Sequence, residues 1–458
     1  MGRRFESCRK RWKLFPILLS LHLKFFEKNI KNSLSKEEIL FYIGLFLLPS
    51  AFSVAAIVLL LSLIISFKKN KINIKDKYNI FFLISCLLLF TSSLINFLNV
   101  SSINNISNNS SLTFIGLLNW IPQIIAFVGF QKYLTKNINR ERAIIVLTAG
   151  SIPVIFSCII QGFFNWHGPI RTLFGLIVWY QRPIDGLTDM TGLFSNPNYL
   201  AAWLNIIWPF SVGLLFFNNK SPLKVIIKFI LSATIAFFIV LTSSKAAWIC
   251  LFLPIPVLYG TKFIKWIISS SAILAFTLVN LSFPLFGNGF QSFLRQIVPK
   301  GIWINLTKEG YESLDISRVD IWGYACKFIL ENPIFGYGSR AFPTLFSNET
   351  GIWKGHSHNL PLELMISYGI PATFMILIPI IVLIFKCYYK LFFNKLRFNK
   401  ITIIDRVWII SLTSLVLMHL VDIQYFDGRV SIIGWILLAG SRNILFDNIH
   451  NEVEKKIS

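Results

Sequence analysis

Long apolar runs separated by short polar clusters set the pattern of this chain. Runs near 80–99, 113–131, 142–163, 199–217, 224–241, 264–285, 359–385 and 407–425 each approach the ~20 residues a helix needs to cross a bilayer. Shorter runs occupy 246–260 and 430–446. The stretch 39–67 is interrupted by Pro49-Ser50, and proline, which lacks a donor, ends helices. It is read as a hairpin of two short helices. The run Leu14–Phe26 contains Lys24 and is too short to span, so an interfacial helix is expected there. No small-residue cleavage site follows it, which argues against a cleavable signal peptide. The pattern predicts an all-α, polytopic integral membrane protein of about twelve transmembrane helices.

Composition agrees. The chain has 458 residues, 54% hydrophobic and only 14% charged, where a soluble domain averages about 25% charged. This excludes a cytosolic enzyme, a disordered chain and a secreted disulfide scaffold. The 44 Lys/Arg against 21 Asp/Glu would suggest nucleic acid in a soluble protein. Here the basic residues lie between apolar runs, so they report topology and no nucleic-acid partner is expected. The six cysteines are scattered, without metal-ligand or disulfide spacing. Basic residues concentrate in cytoplasmic loops. With both termini cytoplasmic, the cytoplasmic segments hold 33 Lys/Arg and 10 Asp/Glu, against 11 and 11 outside. The expected organisation is a basic cytoplasmic segment (1–38), nine transmembrane helices (39–285), a large external loop (287–358), three further helices (359–446) and a cytoplasmic tail (447–458).

Two external loops, 164–198 and 287–358, exceed what is needed to turn the chain, and long loops of this kind are usually functional. The second is rich in aromatics and glycines, which predicts a folded subdomain with short helices, one over about Val319–Leu330. The polar stretch 101–111 is assigned no role. The second loop also carries Arg318 four residues before Trp322, a Pro333-x-x-Gly336-x-Gly338 turn, and His358-Asn359 followed nine residues later by Gly369. Two further stretches stand out: Gly192-Leu193-Phe194-Ser195-Asn196-Pro197-Asn198 before a membrane run, and Thr242-Ser243-Ser244-Lys245 at a short external turn.

In order, spacing and external placement these segments resemble the O-antigen ligase and O-antigen polymerase superfamily of bacterial envelope glycosyltransferases, over roughly residues 190–390. Lys245 departs from the family's usual arginine and loses the planar fork that grips phosphate bidentately. Ala372 replaces the family's second glycine after Gly369. The resemblance implies a GT-C-like fold in the bacterial inner membrane with a periplasmic active site. It further implies transfer of a glycan from a polyprenyl-diphosphate carrier to an acceptor hydroxyl, on a lipid A core or another glycan. The His-Asn-x9-Gly spacing favours an O-antigen ligase over a polymerase. A transporter related to inorganic carbon uptake is the alternative from another class.

Chemistry at the outer face has no ATP, so the donor must arrive activated on its lipid. Breaking its bond develops charge on the diphosphate, which fixed cations stabilise. Arg318, Lys245 and Arg340 are the external cations expected to do this. A general base with a pKa near operating pH must take the acceptor proton, and His358 at the loop–helix junction suits it. His358 and Arg318 are therefore the expected catalytic residues. Lys245, Arg340, Trp322, Asn359 and Asn198 are the expected substrate-binding ones. The external loops lack an Asp-x-Asp motif, so neither metal nor cofactor is expected. Each residue also has a plainer role: Arg318 pairing with Asp315 or Asp320, Lys245 snorkelling, Asn196–Asn198 capping a helix, Gly336 and Gly338 turning the chain. His356 reads as a neighbour of His358, and His419 and Asp422 as the polar end of a membrane helix.

Overall fold

The structure is a computed structural model that describes residues 34–69, 75–98, 111–184, 186–216, 221–254, scattered positions between 269 and 297, 316–393 and 400–447. The expected interfacial helix at Leu14–Phe26, most of the 101–111 stretch, the end of the run 246–260, most of the run 264–285 and residues 448–458 of the C-terminal tail lie outside the described residues.

Among the described residues the apolar runs are helical. The expected hairpin is present as α1 (Lys36–Leu47) and α2 (Phe52–Lys69), packed together across a turn containing Pro49. Ser35 and Glu38 close α1 with a reciprocal capping box. There follow α3 (Lys77–Leu98), short α4 (Ser111–Ile115), α5 (Ile121–Phe130), α6 (Asn137–Gly150) and α7 (Ile152–Phe164). A two-stranded antiparallel hairpin, β1 (Ile170–Thr172) and β2 (Ile177–Trp179), interrupts the first long loop. Next come α8 (Pro197–Leu214), α9 (Pro222–Leu241) and short α10 (Lys245–Cys250), then α11 (Asn288–Ile297). α12 (Arg318–Glu331) and α13 (Ala341–Thr350) form the second loop's subdomain, and α14 (Leu360–Tyr388), α15 (Lys400–His419) and α16 (Gly428–Phe446) complete the bundle. Among the described residues eight helical stretches are long and apolar enough to cross a membrane. The count of twelve is therefore met only in part, because α1 and α8 fall outside that set and the passes expected near 246–285 are mostly undescribed.

The core is aromatic and apolar. Trp203 and Trp408 are fully buried, Phe210 packs 5.7 Å from Trp408, and each indole N–H finds an acceptor, Ser151 Oγ and the Leu437 carbonyl respectively. Charge is confined to the ends of the bundle. At one end Arg140, with no exposed surface, donates to both Asp405 oxygens (2.8 and 3.1 Å), to Asp447 (2.8 Å) and to the Leu134 carbonyl (2.9 Å). Nearby Arg442 meets Asp76 (3.0 Å) and Lys69 meets Glu37 (2.8 Å). A buried guanidinium persists only with such complete pairing. The opposite end holds the two long loops.

The described residues 316–358 of the second loop include two short helices. α12 spans Arg318–Glu331, within a residue of the predicted Val319–Leu330. Ser317 caps it by accepting from the Asp320 N–H (3.2 Å). Ile321, Phe328, Phe342 and Phe346 form a small second core with Ile366 of α14.

The loop's anchor is a break in α14. Gly369 has φ +84° and ψ 170°, outside the helical region. The break leaves the Ile366 and Ser367 carbonyls and the Ile370 N–H without helical partners, and buried backbone groups must be paired. The Pro333–Gly338 turn supplies the pairs: Ile370 N–H donates to the Pro333 carbonyl (2.7 Å), Tyr337 N–H to Ile366 (2.7 Å) and Gly338 N–H to Ser367 (3.0 Å). Gly336 (φ +61°) lies against the Ile366 carbonyl, where a Cβ has no room. Across the turn, Ser92 Oγ (2.6 Å) and Asn96 Nδ2 (2.9 Å) of α3 donate to the Phe335 carbonyl. The two glycine motifs of the sequence are thus one interlocked structure, which matches their reading as turn residues.

Gly369→Ala is expected to destabilise the protein by more than the ~1–3 kcal/mol of a strained backbone residue, because its Cβ also strikes the Ile334 carbonyl. Gly323→Ala, in α12 with open space around it, is expected to be neutral or stabilising by up to about 1 kcal/mol. Thermal unfolding of both variants in detergent checks the contrast; equal behaviour contradicts the interlock.

Candidate active site

The site is assembled at the loop end from three chain segments, and its hub is Asp422, in the short connection between α15 and α16. One carboxylate oxygen lies 3.0 Å from His358 Nδ1 and 3.8 Å from His356 Nε2. The other accepts from Asn198 Nδ2 (2.7 Å). Burial disfavours the ionised carboxylate, but the His358 hydrogen bond and the two imidazoles outweigh it and hold Asp422 below the ordinary carboxylate range.

An ionised carboxylate only accepts, so the neutral form of His358 carries its proton on Nδ1 and leaves Nε2 as its acceptor nitrogen. His358 has φ +53°, a left-handed conformation that is uncommon for a side-chain-bearing residue. Its neighbours keep it there. Glu363, buried in the first turn of α14, accepts from the Ser357 N–H (2.9 Å), and Ser357 Oγ donates to the Asn359 carbonyl (3.1 Å). Asn359 caps α14 by accepting from Leu362 N–H (3.0 Å) and donates to the Leu420 carbonyl (2.8 Å). Asn359 thus ties the histidine loop to the Asp422 segment.

His356 is more than a neighbour. Its Nδ1 accepts from the His358 N–H (3.1 Å), and the two rings meet at 4.2 Å. Its neutral form therefore carries the proton on Nε2, facing Asp422. Burial first, then the charges of His358 and Arg318, push its pKa down to about 4 against the pull of Asp422. His356, His358 and Asp422 have ligand atoms within 4.8 Å of one another, the grouping a metal would use. The donor chemistry does not fit one: the backbone N–H at His356 Nδ1 places the ring proton on the nitrogen a metal would require. The arrangement suits proton handling.

Asn198 is delivered by the other long loop. Gln161 of α7 accepts from Thr191 and Gly192 N–H (3.2 and 2.8 Å) and donates to the Arg182 carbonyl (2.7 Å). Arg429, locked on Asp427 (2.9 Å), donates to the Leu193 carbonyl (3.2 Å) and lies 3.7 Å over the Phe194 ring. Asn196 then caps α8 by accepting from the Asn198 N–H (2.8 Å), with Pro197 at the first helical position. The capping role expected of this segment belongs to Asn196, which frees the Asn198 side chain for Asp422.

The remaining sequence-predicted residues stand near the starts of α10, α12 and α13. Arg318 acts electrostatically on His356, and Trp322, one turn along α12, has a buried Nε1–H with no partner among the described residues. Arg340 starts α13 in a left-handed conformation (φ +63°) and acts on Tyr425. Tyr425 stacks on Trp120 (4.9 Å) and Phe426 (4.4 Å), and Phe426 continues to His356 (5.9 Å). Lys245 opens α10 at the same end, beyond a turn where Ser243 Oγ accepts from the Asp189 N–H (3.3 Å). His419 bonds the Leu415 carbonyl of its own helix (2.8 Å), as a polar helix end does. Asp422, assigned to that same polar end by the sequence, is instead the hub. The available signal was two acids, Asp422 and Asp427, in a connection of eight residues between apolar helices.

Residues 230–377 match the O-antigen ligase family model Wzy_C. The match includes Lys245, Arg318, Arg340, His356, His358 and Gly369, and ends before Asp422; Asn198 precedes it. No curated protein matches the chain.

His356 has a folded pKa lowered from 6.5 to about 4, so between those values the unfolded chain binds the extra proton and stability rises with pH. The melting temperature is therefore expected to fall as pH drops from 6.5 towards 4, and His356→Gln is expected to flatten that slope. A scan of melting temperature against pH for the two proteins checks it. Over residues 230–377, which hold the motif loop and the broken helix behind it, this multi-pass membrane protein is similar to the O-antigen ligase family.

Proposed function

We propose that this protein is an O-antigen ligase-like, metal-independent glycosyltransferase of GT-C type that moves a glycan from a polyprenyl-diphosphate carrier to an acceptor hydroxyl. The acceptor is a lipid A core, and the site faces the periplasm. The single observation that carries the reading is the Asp422–His358 pair, which leaves His358 Nε2 free as a base beside Arg318.

In the reaction, His358 Nε2 takes the proton of the acceptor hydroxyl as its oxygen attacks the anomeric carbon. The bond from that carbon to the diphosphate oxygen breaks, and the electron pair leaves with the lipid diphosphate. Asp422 keeps Nδ1 protonated and stabilises the imidazolium that forms. Arg318, Arg340 and Lys245 neutralise the leaving diphosphate. His356, neutral through most of the acid range, adds no competing charge. Trp322 offers an apolar ring face to a sugar.

The charge distribution supports the orientation. Lys68, Lys69, Lys132, Lys136 and Arg140 gather at the end opposite the site, which is the cytoplasmic end by the positive-inside rule. Both termini accordingly lie in the cytoplasm, and the loop 287–358 with its helices is the external platform. A transporter would carry its polar groups at broken helices near the midplane. Here the break at Gly369 is closed by the loop turn, and the titratable groups sit at the bundle end.

His358→Ala is expected to lower transfer by about 10²–10⁴-fold. Asp422→Asn is expected to lower kcat with little change in donor KM, and Arg318→Ala to raise donor KM. Complementation of a ligase-deficient bacterium at matched membrane levels, with lipopolysaccharide read on a gel, tests the first. Purified protein with lipid-linked donor and separate lipid A-core or lipid-linked repeat acceptors tests the others and separates ligase from polymerase. Full activity in His358→Ala contradicts the assignment.

A further inference from the structure

The arginines of the described residues divide into two kinds. At the cytoplasmic end Arg140, Arg406 and Arg442 all donate to carboxylates or carbonyls. At the site end Arg429 is locked on Asp427 and Arg295 on the Leu281 carbonyl. Besides Arg171 on β1, three arginines, Arg182, Arg318 and Arg340, are exposed, and their guanidinium groups have neither a carboxylate nor a hydrogen-bond partner among the described residues. Each nevertheless acts on one group of the site: Arg318 on His356, Arg340 on Tyr425 and Arg182 on Tyr199. Tyr199 follows Asn198, the residue that holds Asp422.

Arg182 has the backbone of a positioned residue. Its N–H donates to Thr191 Oγ1 (3.0 Å) and its carbonyl accepts from Gln161 Nε2 (2.7 Å). Gln161 also donates to Thr191 Oγ1 (2.9 Å) and accepts from the Gly192 N–H that begins the segment leading to Asn198. One buried glutamine therefore fixes both the base of the Arg182 side chain and the approach of Asn198 to Asp422. The preceding hairpin closes on the same point, where the Gly168 N–H donates to the Gln181 carbonyl (2.7 Å). A fork of five donors held by its backbone and left without an internal acceptor is built for an oxyanion that arrives from outside.

We infer that Arg182 is a fourth donor-binding cation, supplied by the first long loop, which grips phosphoryl oxygens of the lipid-linked diphosphate together with Lys245 and with Arg318 and Arg340 of the second. This rests on the proposed donor class. Bound diphosphate then bridges the two loops on either side of the His358–Asp422 pair. The wide spread of these arginines in sequence matches an anion carrying several oxygens, for which contact from a single loop is insufficient.

The test uses the full chain in detergent, with polyprenyl diphosphate as the probe and polyprenol as the control for lipid-tail binding, read by thermal shift. The wild type is expected to be stabilised by the diphosphate beyond the polyprenol. Arg182→Ala is expected to raise the diphosphate concentration needed by about tenfold without changing the ligand-free melting temperature, since the side chain is exposed. Arg182→Lys is expected to fall between. Arg171→Ala, on β1 of the same loop, is expected to match the wild type, which separates contact from a general loss of positive charge. If Arg182→Ala binds as tightly as wild type while Arg318→Ala binds weakly, the inference is overturned and the donor class stands. If the wild type does not distinguish diphosphate from polyprenol, the donor class falls and Arg182 with it.

Discussion

The interruption of one membrane helix at Gly369 is the constraint on which the rest of the site depends. A helix broken inside a bundle exposes carbonyl and amide groups that neither lipid nor apolar side chains can satisfy. Here the Pro333–Gly338 turn of the second loop satisfies them, adding three backbone hydrogen bonds to the break. The loop is thereby fastened to the same helix whose start carries His358 and Asn359. α12 and α13 then pack their aromatic faces around Ile366, and Arg318 and Arg340 emerge at their first turns.

The same break sets the course of the first turns of α14. Glu363 and Asn359 sit there, one buried against the Ser357 amide and the other capping the helix while holding the Leu420 carbonyl. Between them His358 adopts a backbone conformation it would not choose alone. Strain of this kind persists only where surrounding bonds over-determine it, and the Asp422 contact gives it a consequence. The imidazole is held in one tautomer, with its basic nitrogen turned away from the protein's own acceptor.

The site is also a junction of distant segments. Asn198, His358 and Asp422 come from three connections between helices, and Gln161 and Arg429 brace the first of them from the helices on either side. Buried polar networks are stable when every member is satisfied. The carboxylate here accepts from an amide and an imidazole at once, with a second imidazole alongside, and that supply of donors keeps it charged in a partly buried place.

Much of this was legible in the residues. Apolar run length, with the obligation to pair every backbone group in lipid, pointed to helices; Pro49 marked a hairpin turn; the loop asymmetry of lysine and arginine supplied the proposed direction. The spacing of Arg318, Trp322, the two turn glycines, His358 and Gly369 pointed to the site loop, because these depend on local backbone geometry that a short segment encodes. Asp422 was not legible in this way. An acid at the end of an apolar run reads as a solvated helix end, and only the packing of α15 beside α14 brings it within 3.0 Å of a histidine 64 residues away. The roles of Asn196, Asn198 and Asn359 were likewise settled by tertiary structure, since an asparagine caps, braces or binds according to which acceptor lies within reach. Sequence determined what kind of group stands at each position, and the three-dimensional meeting of separate loops decided which of them act together, because hydrogen bonds form over ångströms of space and not over intervals of chain.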